Sequence, residues 1–465
     1  MKKILHTLNN NSHLATEQSS PKISAAKPLA CLQAFLHNLS FPSWLSKTST
    51  QFSLPIIYTS LLCVILASNG QAQDAKPKFS LKGGGFIWTE TIFDTRQTVS
   101  ARDGDVILYP AKKFLDANGE DINDSPDFTM ANIHSRALVK VTAPSFLNAK
   151  VSGLLEMDFV GSSNDKIGLL RLRHAMVKLN WEKSELLFGQ YWHPMFATES
   201  FPQVVSWGGA IPFHPLSRNA QIRYSQVVGK HSQLSFSICT QLDFKSPGPS
   251  GPSSKYLRDS GIPEVNASYI FGKNKNVLFG INVGYKVLKP SLFYEMGGEN
   301  YKCTETIGSY QMNAFSRIKM KKTTLRAGMI YGQNLYNFLM LGGYGIKGLK
   351  DNGEPTFTNL TAGSYWLDFD SGTLKEKFSL GIYAGYTKNY GAQDEITGAV
   401  YARGTDIDHA YRVAPRIIYG TGRVRFRVET IYNVAAYGTP NAKYQVENTE
   451  RVTNFRFLFA TTLVF

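Results

Sequence analysis

Beyond residue 72 the sequence has no apolar run approaching the roughly 20 residues that a membrane-spanning helix needs, so helical spans are excluded there. Charge is scarce: 18% of residues are charged, against about 25% in an ordinary soluble protein. Cysteine is nearly missing, with only Cys239 and Cys303 after residue 72. Two cysteines make no disulfide framework, and one bridge or two unpaired thiols both stay open. Catalytic signatures are lacking as well. There is no nucleophile-elbow serine motif and no zinc-type His-Glu pair on a helix. GYGIKG, Gly343 to Gly348, spells a dinucleotide-binding pattern, but no helical sequence follows it. DANGEDINDSPD, Asp116 to Asp127, departs from a calcium loop in carrying its glycine fourth rather than sixth and Asp rather than Glu last. It reads as a solvated acidic loop. His193 in YWHPMF reads as a packing histidine. The expectation is a protein that is not an enzyme, needs no cofactor or metal, and has no nucleic-acid partner.

One helical apolar segment is present, LPIIYTSLLCVILA from Leu54 to Ala67, followed by SNGQAQDAK. It is short for a span and ends in small residues, which marks a signal-peptide core with cleavage after Ala72. Residues 1–72 are therefore expected to be a signal peptide with an unusually long n-region, and residues 73–465 a single exported domain. Cys63 lacks the small preceding residue that lipid attachment needs. Removing this segment takes away five lysines and one glutamate, so the exported part stays basic.

From Leu81 onward, segments of about ten residues alternate in character and are followed by turns. In SQLSFSICTQLDF, Leu234, Phe236 and Ile238 share one parity, opposite Ser235, Ser237 and Cys239. In NVLFGINVGYKV, Val277, Phe279, Ile281 and Val283 oppose Gly280, Asn282, Gly284 and Lys286. A two-residue period describes a strand with unlike faces. Sandwich strands are commonly 5–6 residues long, whereas about 9–11 tilted residues cross a bilayer. With export signalled, this favours an all-β, transmembrane antiparallel β-barrel of about 16 strands, closed because lipid cannot satisfy an open edge. The last stretch, RVTNFRFLFATTLVF, places Phe455, Phe457 and Phe459 on one parity. It is the expected closing strand, aromatic face to lipid, paired with the first strand near Leu81 to Thr91. Trp181, Tyr191, Trp192, Tyr285 and Tyr437 lie near strand ends, where interfacial girdles are expected.

Long interruptions at Val99–Asp127, Phe196–Ser217, Lys245–Ile262, Gly348–Pro355 and Gly391–Asp408 are candidate external loops, while GKHS and GTGR look like short periplasmic turns. FPQVVSWGGAIPFHP, Phe201 to Pro215, is too apolar for an exposed loop. It is expected to fold into the barrel as a constriction, or else to lie between protomers.

The strongest functional signal is arginine on the polar parity: Arg136, Arg223, Arg326, Arg412, Arg416, Arg423, Arg425, Arg427 and Arg456. An arginine facing lipid at mid-membrane costs about 2–4 kcal/mol, so these side chains are expected to point inward. Arg171 and Arg173 join the list provisionally, because Leu170, Leu172 and Met176 share a parity with His174 and Lys178. An arginine-lined water-filled lumen favours anions. A generic polar pore, its arginines paired with Glu90, Asp94, Glu156, Asp158, Asp368 and Glu429, is the alternative.

GGGFIWTETIFDTR, RLRHAMVKLNW followed by LLFGQYWHPMF, LSRNAQIRYSQ and the terminal Phe465 together resemble the DcaP-like outer-membrane porins, especially Bacteroides-type members. The resemblance spans Leu81 to Phe465 and is most distinctive from Leu170 to Gln226. It implies a homotrimer of 16-stranded barrels in the bacterial outer membrane, passing small anionic solutes such as dicarboxylates. It also implies recognition of Phe465 by the barrel-assembly machinery. No heptads precede the first strand, in contrast to relatives with a coiled-coil segment. The reading is thus an outer-membrane porin for small, preferably anionic solutes, with a non-conducting surface adhesin, structural barrel or hydrolase as the rival.

Overall fold

The computed structural model describes residues 79–374, 377–420 and 422–465. The expected signal segment, residues 1–72, lies outside them. The first strands are β1 (Ser80–Asp94), β2 (Thr98–Ala101), β3 (Val106–Pro110), β4 (Asp127–Ala131), β5 (Arg136–Phe146), β6 (Ala149–Asp158), β7 (Arg171–Asn180) and β8 (Ser184–Trp192). Next come β9 (Arg218–Val228), β10 (Ser232–Cys239), β11 (Glu264–Phe271), β12 (Val277–Leu288), β13 (Phe293–Met296), β14 (Glu299–Lys302), β15 (Ile307–Met320) and β16 (Thr323–Gln333). The last are β17 (Gly342–Leu349), β18 (Pro355–Asp370), β19 (Phe378–Ala392), β20 (Val400–Arg403), β21 (Ile407–Tyr419), β22 (Val424–Pro440) and β23 (Val446–Val464).

These strands build a closed antiparallel barrel of 16 ring positions. β4 and β5 share one position, since both pair with β1. The ring then runs β6 to β12, β15, β16, β18, β19, β21, β22 and β23. It closes by β23 pairing antiparallel with β1, from Phe86↔Val464 to Asp94↔Arg456. Closure leaves no row of unpaired backbone groups for lipid to solvate, which is the physical requirement for crossing with strands. No helix of the described residues is long and apolar enough to cross a membrane.

The two-residue period sorts the side chains as expected. On β23, Phe455, Phe457 and Phe459 are exposed outward while Asn454, Arg456, Leu458 and Ala460 are buried inward. Leu234, Phe236 and Ile238 on β10, and Val277, Phe279, Ile281 and Val283 on β12, likewise face out. The girdle expectation needs correction at three positions. Trp192 stacks on Phe196 at 3.9 Å inside the barrel, Tyr191 lines an internal cavity beside it, and the buried Tyr437 donates its hydroxyl to the Pro110 carbonyl. Trp192 and Tyr437 each meet a segment that has folded inward, a partner that strand alternation cannot reveal, while Tyr191 lies against His174 and Lys178 of β7.

The short connections, such as Leu147–Asn148 and GKHS, lie at the end where β1 begins and β23 finishes. The opposite end carries the long loops, including three hairpin strands or strand pairs: β13–β14, β17 and β20, with β17 pairing to both β18 and β20. The loop from Lys289 to Thr306 is an addition to those expected from sequence. Asp116 accepts backbone N–H groups of Asn118 and Glu120, and Asp121 pairs with Arg96, so this acidic stretch is internally hydrogen-bonded. Cys239 and Cys303 are both free and buried.

Candidate pore and constriction

Three segments from the long-loop end enter the barrel. The largest is the connection from β8 to β9, His193 to Ser217, which contains the apolar stretch singled out above. It crosses the lumen and is tied to the far wall by side chains on four strands. Asn282 and Asn313 donate to the carbonyls of Pro194 and Met195 at 2.8 and 2.6 Å. Asp368 accepts from the Gln203 backbone N–H at 3.2 Å, and Ser364 donates to the Phe213 carbonyl at 2.7 Å. Glu429 accepts both the Val205 and Ser206 N–H groups. At the loop's root, His193 meets Glu264 at 2.8 Å, fully buried. A buried polar backbone costs free energy unless each group is paired, and these inward asparagines and carboxylates are the partners.

The β2–β3 hairpin is the second segment, and the turn Leu335–Phe338 with Met340 and Leu341 is the third. Tyr109, Ala210, Phe213, Phe338, Met340 and Leu341 pack with one another into an apolar core inside the barrel. Its burial holds the three segments together by the same area-proportional force that builds a soluble core.

The arginines divide by what they meet. Arg456 forms a bidentate pair with Asp94, at 3.0 and 2.6 Å, and gives its remaining N–H groups to the carbonyls of Gly104 and Asp105. Arg412 donates to the Ile107 and Leu108 carbonyls. Both are struts that hold the β2–β3 hairpin against the wall. Arg416 and Arg326 share Asp368 at 2.6 and 3.2 Å. Arg223 donates to Gln221 and to the Trp192 carbonyl.

Arg171 and Arg173 owe their inward aim to a β-bulge. The β6–β7 register shifts between Glu156 and Met157, so that Glu156 pairs with His174 while Met157 pairs with Leu172. Arg173 is the extra residue. A bulge of this kind changes the parity along a strand, which puts Arg171, Arg173, His174 and Lys178 all on the lumen side and explains the mixed sequence pattern. Arg171 binds Asp158 through two bonds at 3.0 and 2.9 Å, and Arg173 bridges Glu156 and Asp158 at 2.6 and 2.8 Å.

Arg136, Arg425 and Arg427 line open space. Three cavities follow one another from the long-loop end to the short-turn end. The first, about 340 Å3, is lined by Arg102, Arg171 and Arg403 with Asp243 and Trp207. The second, about 550 Å3, shares Trp207 and adds Arg136, Arg173, Arg218 and His134 among Trp88, Trp192, Phe196 and Val205. It has no carboxylate in its lining. The third, about 540 Å3, shares Trp88, Val204 and Val205 and contains Arg425, Arg427 and Lys377 beside Asp370. Arg425 is exposed to this space, and Arg427 lies over the Trp88 ring at 4.8 Å. Arg423 sits in the turn before β22, exposed, and is not on a strand. Among the described residues Arg136, Arg425 and Arg427 form no ion pair with a carboxylate within 4.0 Å.

Sequence reasoning missed Arg218, buried between Trp192 and Phe244 and paired with Asp243 at 2.9 Å. It opens β9 on the parity of Ile222 and Tyr224, so alternation assigns it to lipid. Only the fold of the preceding loop turns it inward. Arg102 lies in the turn between β2 and β3, and Arg403 closes the four-residue β20, too short for a period to be read.

No protein-family model and no curated protein matches this chain. Among solved structures, the outer-membrane channel DcaP of Acinetobacter baumannii superimposes with a TM-score of 0.60 at 16% identity, covering 85% of this chain and 99% of that one. The anion-selective porin of Comamonas acidovorans reaches 0.49 at 10% identity, covering 83% and 100%. OmpT of Vibrio cholerae, an outer-membrane protein, also reaches 0.49, at 12% identity and 85% and 99% coverage. Only the first superposition is close enough to carry an inference, and that inference is one of fold. The chain is a closed antiparallel β-barrel with the fold of the DcaP channel, its long loops at one end and its short turns at the other.

Proposed function

We propose that this protein is a porin for passive diffusion of small, preferably anionic solutes, dicarboxylates among them, and that it is not an enzyme. The observation that carries the reading is the row of cavities joined by shared lining residues, with cationic side chains at every level. An anion leaving water loses hydration, and fixed guanidinium groups in a narrow polar passage offset that loss. Three stations, each weak, allow the solute to be handed on rather than held. Aromatic faces beside the arginines in the middle cavity suit the carbon body of an organic acid. In this account the barrels assemble as homotrimers in the outer-membrane lipid. Export uses residues 1–72 as the signal peptide, and the barrel-assembly machinery reads Phe465.

A second reading keeps the barrel and denies conduction. The apolar packing of three inward segments is what a plug would look like, and such a barrel would serve as an adhesin, a structural surface protein or a hydrolase. Liposome swelling separates the two. A porin of the proposed kind admits succinate faster than an uncharged solute of equal size. Equal rates remove the anion preference, and no swelling with either solute removes the porin.

A further inference from the structure

Glu90, Asp105 and His134 come together on the lumen side of the wall, from three elements that are separate in the chain. Glu90 lies on the inward parity of β1, between Trp88 and Ile92. Asp105 sits at the tip of the inward hairpin, just before β3. His134 lies in the break between β4 and β5, where the wall strand leaves its regular path. All three are almost fully buried, at 2%, 1% and 1% exposure. One ligating atom from each lies within 4.8 Å of the others.

The hydrogen bonds around this group are incomplete. His134 Nε2 is 2.5 Å from Asp105 Oδ2 and 3.2 Å from Glu90 Oε1. One ring nitrogen carries at most one proton, so it can serve only one of these oxygens. Among the described residues, both Glu90 oxygens and Asp105 Oδ1 have no hydrogen-bond partner. The guanidinium of Arg456 is spent on Asp94 and on the carbonyls of Gly104 and Asp105. Buried carboxylates are ordinarily paired or coordinate a metal, and the single imidazole is the side chain that meets these two carboxylates.

We propose that Glu90, Asp105 and His134 bind one divalent transition-metal ion of the zinc or manganese class. The donor set of one imidazole nitrogen and two carboxylates suits such ions. A fourth position would take water, since His134 borders the middle cavity. The ion would set two positive charges opposite the two carboxylates. It also joins wall to constriction: Asp105 belongs to the inward hairpin, and His134 stacks on Trp207 of the β8–β9 loop at 4.7 Å. The metal therefore sets the position of both segments that bound the passage. The site is independent of which solute the protein passes, or whether it conducts.

The test uses the full-length, untagged protein refolded in detergent. After dialysis against Zn2+ and then metal-free buffer, elemental analysis should find one zinc per chain, removable by EDTA. Co2+ in its place should give visible absorption bands of a low-coordinate site. Glu90→Gln, checked as a folded barrel by its heat-modifiable gel mobility, should bind at least ~10-fold more weakly, as befits a lost ligand when outer-shell changes alone reach that size. Absence of stoichiometric metal and of the Co2+ spectrum in the wild-type protein overturns the proposal. So does unchanged binding in folded Glu90→Gln.

Discussion

Glu429, on the inner face of β22, accepts the backbone N–H of Ser206 at 2.9 Å while its second oxygen takes that of Val205 at 2.7 Å. One wall carboxylate thus holds the edge of the crossing loop that separates the middle cavity from the lower one. Replacing it by alanine leaves two buried donors unserved, at about 1–3 kcal/mol each. Glu429→Ala should loosen the loop, and single-channel traces should show frequent excursions to higher conductance. Glu429→Gln keeps one acceptor and should fall between.

The arginines should separate into two classes on mutation. Arg425 and Arg427 face the lower cavity without a carboxylate partner among the described residues. A unit charge at 4 Å is worth about 1 kcal/mol in water, so Arg425→Gln with Arg427→Gln should shift the anion-to-cation permeability ratio severalfold and leave folding intact. Arg456→Gln should do the reverse. It strands the buried Asp94, a loss of about 3–5 kcal/mol for a broken buried pair, and yield of folded barrel should drop. Refolding yield and reversal potential, measured on both variants, tell the classes apart.

The seam between first and last strands depends on a missing side chain. Gly85 and Phe465 exchange backbone hydrogen bonds at 3.2 and 3.1 Å. A Cβ on Gly85 would lie 2.1 Å from the Arg136 carbonyl oxygen and 2.9 Å from the Phe465 ring. Gly85→Val should therefore lower the temperature at which the folded band is lost on a semi-native gel.

His214, in the crossing loop, packs edge-on against the rings of Phe196 and Trp366, and neither ring nitrogen has a hydrogen-bond partner among the described residues. Burial pushes its pKa down to about 3. Where the loop is released the imidazole titrates near 6.5. Between these values the released state binds more protons, so the packed loop weakens as pH falls from 6.5 towards 3, by about 1.4 kcal/mol per pH unit at most. Acid should raise the gating frequency across that window. His214→Leu, apolar and neutral at every pH, should abolish the acid response.

Alternation carried the architecture because a barrel wall in lipid is a two-faced surface over its whole length. The closing pair was legible for the same reason: β1 and β23 each present an unambiguous outer face. Period alone could not show what the inner face touches. Arg412 and Arg456 look like pore arginines in sequence, yet loop carbonyls occupy them. The bulge at Arg173 breaks the period itself. Asp105 lies in a hairpin with no lipid constraint, so nothing local announces that it meets Glu90 and His134. The apolar composition of Phe201–Pro215 did announce an inward loop, since exposed apolar surface of that extent is unfavourable.

The most direct measurement is the reversal potential of the refolded wild-type protein in a planar bilayer under a KCl gradient. The account predicts stepwise conductance with a reversal potential of the sign set by chloride. A cation-selective reversal, or silence from protein shown to be folded and inserted, would contradict it.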